Sequence, residues 1–144
     1  MKKKLEIELS NLMESFEKIR KEMAKRGITK EIEILLFGDS TEEKRKAVEK
    51  IIDILARSEE EGVRKSAAEN IMATSETLER LSKDEDETVL IAVAQNIRAN
   101  EKTLEELSKH PNKYIREKVA KNTSSNEKTL DNLATKWIST TRAI

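Results

Sequence analysis

The fold is decided by three consecutive stretches of equal length, which read VRKSAAENIMATSETLERLSKDEDET (63–88), VLIAVAQNIRANEKTLEELSKHPNKY (89–114) and IREKVAKNTSSNEKTLDNLATKWIST (115–140). We name them copy one, copy two and copy three. When the copies are aligned end to end, six columns hold identical or similar residues. The columns are Val63, Val89 and Ile115; Ala68, Ala94 and Ala120; Asn70, Asn96 and Asn122; Thr77, Thr103 and Thr129; Leu78, Leu104 and Leu130; and Leu81, Leu107 and Leu133. A fixed period of about 26 residues is typical of architectures that stack one small unit on the next.

Each copy predicts two short helices. Apolar residues in the first half of each copy are spaced by four, which places them on one helix face. They are Val63, Ala67 and Ile71; Val89, Val93 and Ile97; and Ile115 and Val119. The second half carries the leucine columns. One helix pair cannot cover its own apolar stripe, so we expect neighbouring copies to stack into an α-solenoid, with Leu78, Leu104 and Leu130 buried at the junctions.

Polar residues mark the helix starts. Thr74, Asn100 and Asn126 precede the second helices, and Asp86 and Asn112 precede the first helices of copies two and three. These residue types accept a backbone N–H at a helix N-terminus, so each is predicted to be an N-cap.

The segment before copy one contains a further predicted helix, from Ser40 to Arg57. Its start is marked by Ser40 and Glu43, which have the spacing of a capping box. Ile52 and Leu55 lie one full period before Leu78 and Leu81, so this helix is expected to occupy an earlier second-helix position. After copy three, the period is expected to remain incomplete.

The N-terminal segment follows a different pattern. Its apolar residues recur at spacings of 4, 3, 4, 3 and 4, which is a heptad seam. They are Leu5, Leu9, Leu12, Phe16, Ile19 and Met23. Gly27 is predicted to end this helix, and a second helix is predicted from Thr29 to Phe37, closed by Gly38. Two arrangements fit the seam: a helical hairpin that caps the solenoid, or a coiled-coil arm that forms a homodimer. The predicted division is therefore 1–38 for the hairpin or arm and 39–144 for the repeats.

Composition excludes several classes of protein. Aromatic residues make up 3% of the chain, Gly and Pro are few, and Cys is absent. This composition argues against all-β folds, disulfide frames and thiolate metal sites. No run of about 18 apolar residues occurs and the N-terminus is charged throughout, so we expect neither a membrane span nor a secretory signal. A cytoplasmic location is the expectation, and the Lys- and Glu-rich composition is typical of heat-adapted proteins.

The three copies resemble the leucine-rich repeat variant family, whose units read roughly V-R-x-x-V-A-x-N-P-x-T-P-x-x-x-L-x-x-L-A-x-D. The resemblance covers about half of the chain. It implies a right-handed superhelix distantly related to armadillo and HEAT repeats, and a generic binding role. Ile71, Ile97 and Thr123 replace the family's Pro, so we expect ordinary α-helix in place of its short 3₁₀ segment. Some members hold an iron-sulfur cluster on Cys ligands, a feature that a chain without Cys does not share.

Catalytic and metal-binding patterns are weak. His110 is the only imidazole, and it lies in the loop before Pro111 and Asn112. The acidic run 84–87 lacks the glycine and spacing of a calcium loop, so we expect it to face the positive end of the next helix dipole. The asparagine column is expected to hydrogen-bond backbone groups near helix ends. We therefore expect no enzyme, no metal and no cofactor.

Two groups of residues are candidates for binding. In copy two, Leu90 replaces the arginine at positions 64 and 116, and Ile91 is expected to face outward. Trp137 and Ile138 lie at the end of copy three, where the repeats stop. We expect Trp137 to cover the apolar edge that this leaves. The candidate partner contacts are Leu90, Ile91, Trp137 and Ile138. From Leu107 onward, basic residues outnumber acidic ones by eight to three. The candidate phosphate contacts are Lys109, Lys113, Arg116, Lys118, Lys121 and Lys128.

These observations favour a non-catalytic protein-protein interaction scaffold or adaptor. Solenoids present extended surfaces to other proteins, and no motif in the chain points to a reaction. The alternative is a nucleic-acid-binding helical-repeat module that uses the basic C-terminal end, although aromatic residues are not interleaved there for base stacking.

Overall fold

The computed structural model describes residues 2–122 and 124–142, with the side chains of Phe16 and of residues 136–142 outside that description. Within these ranges the chain contains helices and turns but no strand, which confirms the all-α class. The helices are α1 (Lys2–Arg26), α2 (Thr29–Phe37), α3 (Thr41–Leu55), α4 (Glu61–Glu69), α5 (Ser75–Leu81), α6 (Glu87–Gln95), α7 (Glu101–Leu107), α8 (Lys113–Lys121) and α9 (Glu127–Arg142). They form two compact units, Met1–Ile54 and Leu55–Ile144. The sequence analysis divided the chain into 1–38 and 39–144 from the heptad seam and the repeats, and that division stays a prediction.

The predicted ends of α1 and α2 are confirmed. Gly27 has a φ of 72°, a conformation that side chains disfavour, and it stops α1. Its N–H bonds to Ala24 O at 3.2 Å while the Ile28 N–H bonds to Met23 O at 3.1 Å, which is the paired pattern of a Schellman motif. Gly38 follows α2, where a Cβ would collide with Ile34 O.

An ion pair links α2 and α3 in the N-terminal unit. Glu31 is 4% exposed, and its Oε1 lies 2.8 Å from Lys50 Nζ. The hydrogen bond from Lys50 is the main cause that holds the Glu31 pKa below its ordinary value, against the opposing effect of burial. At the start of α3, Ser40 Oγ accepts from the Glu43 N–H at 3.3 Å, as one half of the predicted capping box requires.

In the C-terminal unit, the helices recur with the period of the sequence. The first helices α4, α6 and α8 each span nine residues and begin at 61, 87 and 113. The second helices begin at 75, 101 and 127. α6 packs against both α4 and α8, and α7 packs against α9. The prediction of two helices in each copy is therefore confirmed, although α9 continues to Arg142 through positions that form loops in copies one and two.

The core of this unit is formed by residues of the predicted apolar faces and leucine columns, with the highest burial in copy two. The larger apolar residues with no exposed surface are Leu78, Val89, Val93, Leu104, Ile115 and Val119. Leu130 is an exception: it is 45% exposed, so the prediction of its burial is wrong. It lies on α9, the last helix of the described chain, and no further helix of that part follows to cover it.

The prediction that Ile71 and Ile97 share the buried face is also wrong. They are 69% and 62% exposed, because α4 and α6 end at Glu69 and Gln95. The following residues, Asn70 and Asn96, have extended backbone, and each side-chain oxygen accepts the N–H two residues later. These bonds form turns at 71–72 and 97–98 where we expected α-helix. The third such position, Thr123, lies outside the described residues.

Candidate interaction surface

All five predicted N-caps are confirmed. In each, a side-chain oxygen accepts a backbone N–H at 2.8 to 3.1 Å. The pairs are Thr74 with Thr77, Asp86 with Thr88, Asn100 with Thr103, Asn112 with Tyr114 and Asn126 with Thr129. The hydrogen bonds from the Thr88 hydroxyl and N–H hold the Asp86 pKa below its ordinary value. Asp86 therefore stabilises the start of α6, in agreement with the helix-terminus interpretation of the acidic run.

The asparagine column joins each copy to the one before it. Asn96 Nδ2 donates to Ala68 O at 2.7 Å and to Asn70 O at 2.9 Å. Asn122 Nδ2 repeats this one copy later, with Ala94 O at 2.7 Å and Asn96 O at 2.9 Å. Both side chains are buried, at 6% and 8% exposure. The predicted role in satisfying backbone groups at helix ends is confirmed, and Asn96 and Asn122 are structural residues inside the unit.

Arginine side chains hold the loops before α4 and α8. Arg64 Nη1 donates to Ser58 O and Glu59 O, each at 2.9 Å. Arg116 Nη1 donates to His110 O at 2.8 Å and to Pro111 O at 2.7 Å, the same positions relative to the helix. Arg116, predicted as a phosphate contact, is therefore engaged within the chain.

Leu90 occupies this arginine position in copy two and is only 5% exposed. The expectation that it contributes to an exposed contact is wrong. Arg64 pairs with Asp84, and the equivalent positions one copy later are Leu90 and His110, which cannot form that ion pair. In copy two, therefore, both charged residues of this pair are replaced: Leu90 stands in the place of the arginine and His110 in the place of the aspartate. Ile91, expected to face outward, is half-buried.

His110 has a structural role in its loop. Its Nδ1 accepts the Asn112 N–H at 3.0 Å. Ser58 Oγ and Asp84 Oδ1, at the equivalent positions, accept the N–H groups of Glu60 and Asp86. The imidazole therefore performs the loop-closing task that a hydroxyl and a carboxylate perform in the other two loops.

Other predicted phosphate contacts lie in ion pairs with Glu105. Lys128 Nζ of copy three lies 3.0 Å from Glu105 Oε1, and Lys109 Nζ lies 3.9 Å from the same oxygen. The pair between copies two and three has an equivalent between copies one and two, where Lys102 Nζ lies 3.0 Å from Glu79 Oε1. The sequence analysis missed this contact, although the period aligns both the glutamates and the lysines.

The remaining basic candidates are on α8. Lys113 and Lys121 are exposed and Lys118 is half-buried. Lys113 Nζ lies 5.4 Å from the centre of the Tyr114 ring, a cation-π contact. Tyr114 is 57% exposed, so this end of the unit presents one aromatic side chain beside positive charge.

The last two predicted partner contacts are in the C-terminal helix. Trp137 and Ile138 belong to α9, but their side chains lie outside the described residues. The proposed sealing of an apolar edge by Trp137 stays a prediction. In the turns of copies one and two, sequence reasoning missed the exposed apolar residues Ile71 and Ile97.

No protein-family model, curated protein or solved structure matches this chain. The resemblance to the leucine-rich repeat variant family therefore stays a prediction. Among the residues with described side chains, no three His, Asp or Glu residues lie close enough together to hold a metal ion. None of the described helices has the length and apolar character needed to span a bilayer.

Proposed function

We propose that copies one to three form a short right-handed α-solenoid of the armadillo/HEAT-like kind, similar to the leucine-rich repeat variant family, that acts as a non-catalytic protein-protein interaction scaffold in the cytoplasm. The observation that carries the proposal is the repeated asparagine contact. Asn96 and Asn122 bind the preceding copy through equivalent atoms at matching distances. Equivalent contacts at equivalent positions support a constant relationship between successive copies, which is the principle of a solenoid.

If successive copies are related in a constant way, residues at the same position of each copy form a row on the surface. Ile71 and Ile97 are both exposed by more than half and occupy the same position in successive turns. Ser124 Oγ donates to Ile97 O at 2.7 Å, which ties the turn of copy three to the turn of copy two. We assign the partner contact to this row, which a protein segment with apolar side chains could cover.

The engagement of the basic residues weakens the nucleic-acid alternative. Arg116 is bound to loop carbonyls and Lys128 to Glu105. Phosphate binding would have to compete with these contacts. His110 is likewise used within its loop, which supports a structural role over catalysis.

A peptide-display selection on the immobilised full-length chain tests the proposal. Peptides selected on the wild type should bind the double variant Ile71→Asp/Ile97→Asp at least about tenfold more weakly, because the row loses its apolar contacts. Leu36→Asp is the matched control, since Leu36 is 68% exposed but lies in the N-terminal unit. Circular dichroism checks that each variant is folded.

Two results would contradict the scaffold function. One is a selection that enriches no peptide sensitive to the Ile71 and Ile97 changes. The other is binding of RNA or DNA that weakens steeply with added salt, as phosphate contacts require, and that is insensitive to these changes.

A further inference from the structure

Four of the six residues in the heptad seam of α1 are exposed to solvent. Leu5, Leu9, Leu12 and Ile19 are 59%, 56%, 52% and 48% exposed. A helix of 25 residues is about 37 Å long, enough for more than three heptads. We propose that α1 pairs with α1 of a second copy of this chain as an antiparallel two-stranded coiled coil.

The spacing of the seam is compatible with self-pairing in the antiparallel direction. The intervals 4, 3, 4, 3 and 4 read the same from either end. We align the antiparallel helices so that the numbers of paired residues add to 28. The layers of the coiled coil then pair residue 5 with 23, 9 with 19, and 12 with 16 of the second copy. Every seam position then meets a seam position of the second copy. A parallel pair also matches the seam, so the flanking residues decide the direction.

One flank favours the antiparallel direction. Glu6, Met13 and Arg20 occupy the positions directly after the seam residues 5, 12 and 19. In an antiparallel pair these positions face one another, so Glu6 lies across from Arg20 of the second copy, twice by symmetry. Met13, which is 71% exposed, then lies across from its own counterpart near the two-fold axis. In a parallel pair Met13 faces Glu8 and Arg20 faces Ser15, so this flank brings no opposite charges into contact.

This symmetry is also the reason to assign a second copy as the occupant. The flank formed by Glu6, Met13 and Arg20 supplies both members of each ion pair and both members of the central apolar contact. It is therefore complementary to itself, which an isologous two-fold interface requires.

The other flank provides a test of direction. Glu8 and Glu22 of the two copies lie across from each other in the antiparallel pair, where like charges repel. Glu22 Oε1 also lies 3.5 Å from Arg26 Nε in its own helix, which offsets part of that repulsion. Glu8→Lys converts the repulsion into attraction and should tighten an antiparallel dimer by about threefold or more, whereas a parallel dimer would place this residue beside Met13.

Sedimentation equilibrium of the full-length chain tests the pairing itself, over a range of about 1 to 100 μM. The wild type should dimerise, and Leu12→Lys should weaken the dimer by about 100-fold because it places an unpaired charge in the seam. Ile7→Lys is the matched control: Ile7 is 61% exposed on the same helix but lies outside the seam and its flanks, so its dimer should stay within about threefold of wild type. A wild type that is monomeric throughout, or a dimer unaffected by Leu12→Lys, would overturn the proposal.

A distance measurement tests the direction without changing the seam. The chain has no Cys, so Lys3→Cys introduces a single site for a spin label. In the antiparallel dimer the two labels are separated by about 22 residues along the helix axis, or about 33 Å. Labels within about 20 Å of each other would show parallel helices, given an interhelical distance of about 10 Å, and would overturn the antiparallel arrangement.

Discussion

Arg64 on α4 binds Asp84 in the loop before α6 through two hydrogen bonds, Nε to Oδ2 at 2.8 Å and Nη2 to Oδ1 at 3.2 Å. Asp84 also accepts the Asp86 N–H, and Arg64 holds the carbonyls of Ser58 and Glu59. The pair therefore fixes two consecutive loops at once. At the next junction the corresponding residues are Leu90 and His110, so copies two and three are joined without this charge pair.

Replacement of both residues tests whether the two junctions are equivalent. Arg64→Leu alone should lower the free energy of unfolding by about 1.5 to 3 kcal/mol, because it leaves the mostly buried Asp84 carboxylate without its partner. Asp84→His alone should also be destabilising. The double variant reproduces the pair found at the next junction and should be more stable than the sum of the single effects by about 1 kcal/mol. Urea denaturation of the four proteins measures this coupling, and strictly additive effects would contradict it.

The asparagine contact is predicted to be sensitive to loss of its N–H donors. Asn96→Asp should destabilise the chain by about 2 to 3 kcal/mol, because it places carboxylate oxygen against the carbonyls of Ala68 and Asn70. Asn70→Asp is the control in the same column, since Asn70 is exposed and an aspartate can still accept the Met72 N–H. Its effect should be below about 0.5 kcal/mol. Equal midpoints for the two variants in urea would show that the buried contact is unimportant.

Two leucines of one column differ in burial, so the same Leu→Ala change at each measures how much burial contributes to stability. Leu104→Ala should cost about 2 to 5 kcal/mol, because Leu104 has no exposed surface and its truncation leaves a cavity. Leu130→Ala should cost about 1 kcal/mol, since Leu130 is 45% exposed. Thermal unfolding followed by circular dichroism gives both values. A smaller loss at position 104 than at position 130 is the result that would exclude this packing.

Acid is predicted to weaken the link between α2 and α3. The Glu31 pKa is lower in the folded chain than its ordinary value, so ionised Glu31 stabilises the fold above about pH 5. That contribution is lost as the pH falls through the folded pKa. Glu31→Gln should therefore lower stability by about 1 kcal/mol at neutral pH and by less in acid. Glu33→Gln, on the same helix but exposed, is the control. A constant Glu31→Gln effect at all pH values would contradict the ion pair.

The sequence predicted the parts of the fold that depend on local chemistry and period. N-caps such as Asn100 and stop residues such as Gly27 act within a few residues, so their spacing identifies them. The alignment of the three copies located the starts of their helices, which recur at equivalent positions.

The sequence did not predict which partners some side chains bind or where two of the helices end. Leu90 was expected at the surface because it replaces arginine, but its position is buried and its counterpart His110 lacks the carboxylate of Asp84. Ile71 follows the apolar spacing of α4, yet the helix ends before it reaches that residue. Arg116, a predicted phosphate contact, is bound to loop carbonyls that lie before its own helix. For Leu90 and Arg116 the partners that surround the residue determine its role, whereas for Ile71 the turn at Asn70 does.

The stacking of the three copies can be tested most directly by distances between their first helices. Glu69, Gln95 and Lys121 are the exposed last residues of α4, α6 and α8. Two doubly labelled variants are needed, one with spin labels at 69 and 95 and one with spin labels at 69 and 121. Packed helices lie about 10 Å apart, so a solenoid predicts about 10 Å between labels at 69 and 95 and about 20 Å between labels at 69 and 121. Paramagnetic broadening and pulsed dipolar spectroscopy cover these two distances. A distance between 69 and 121 that is no longer than the distance between 69 and 95 would contradict the account.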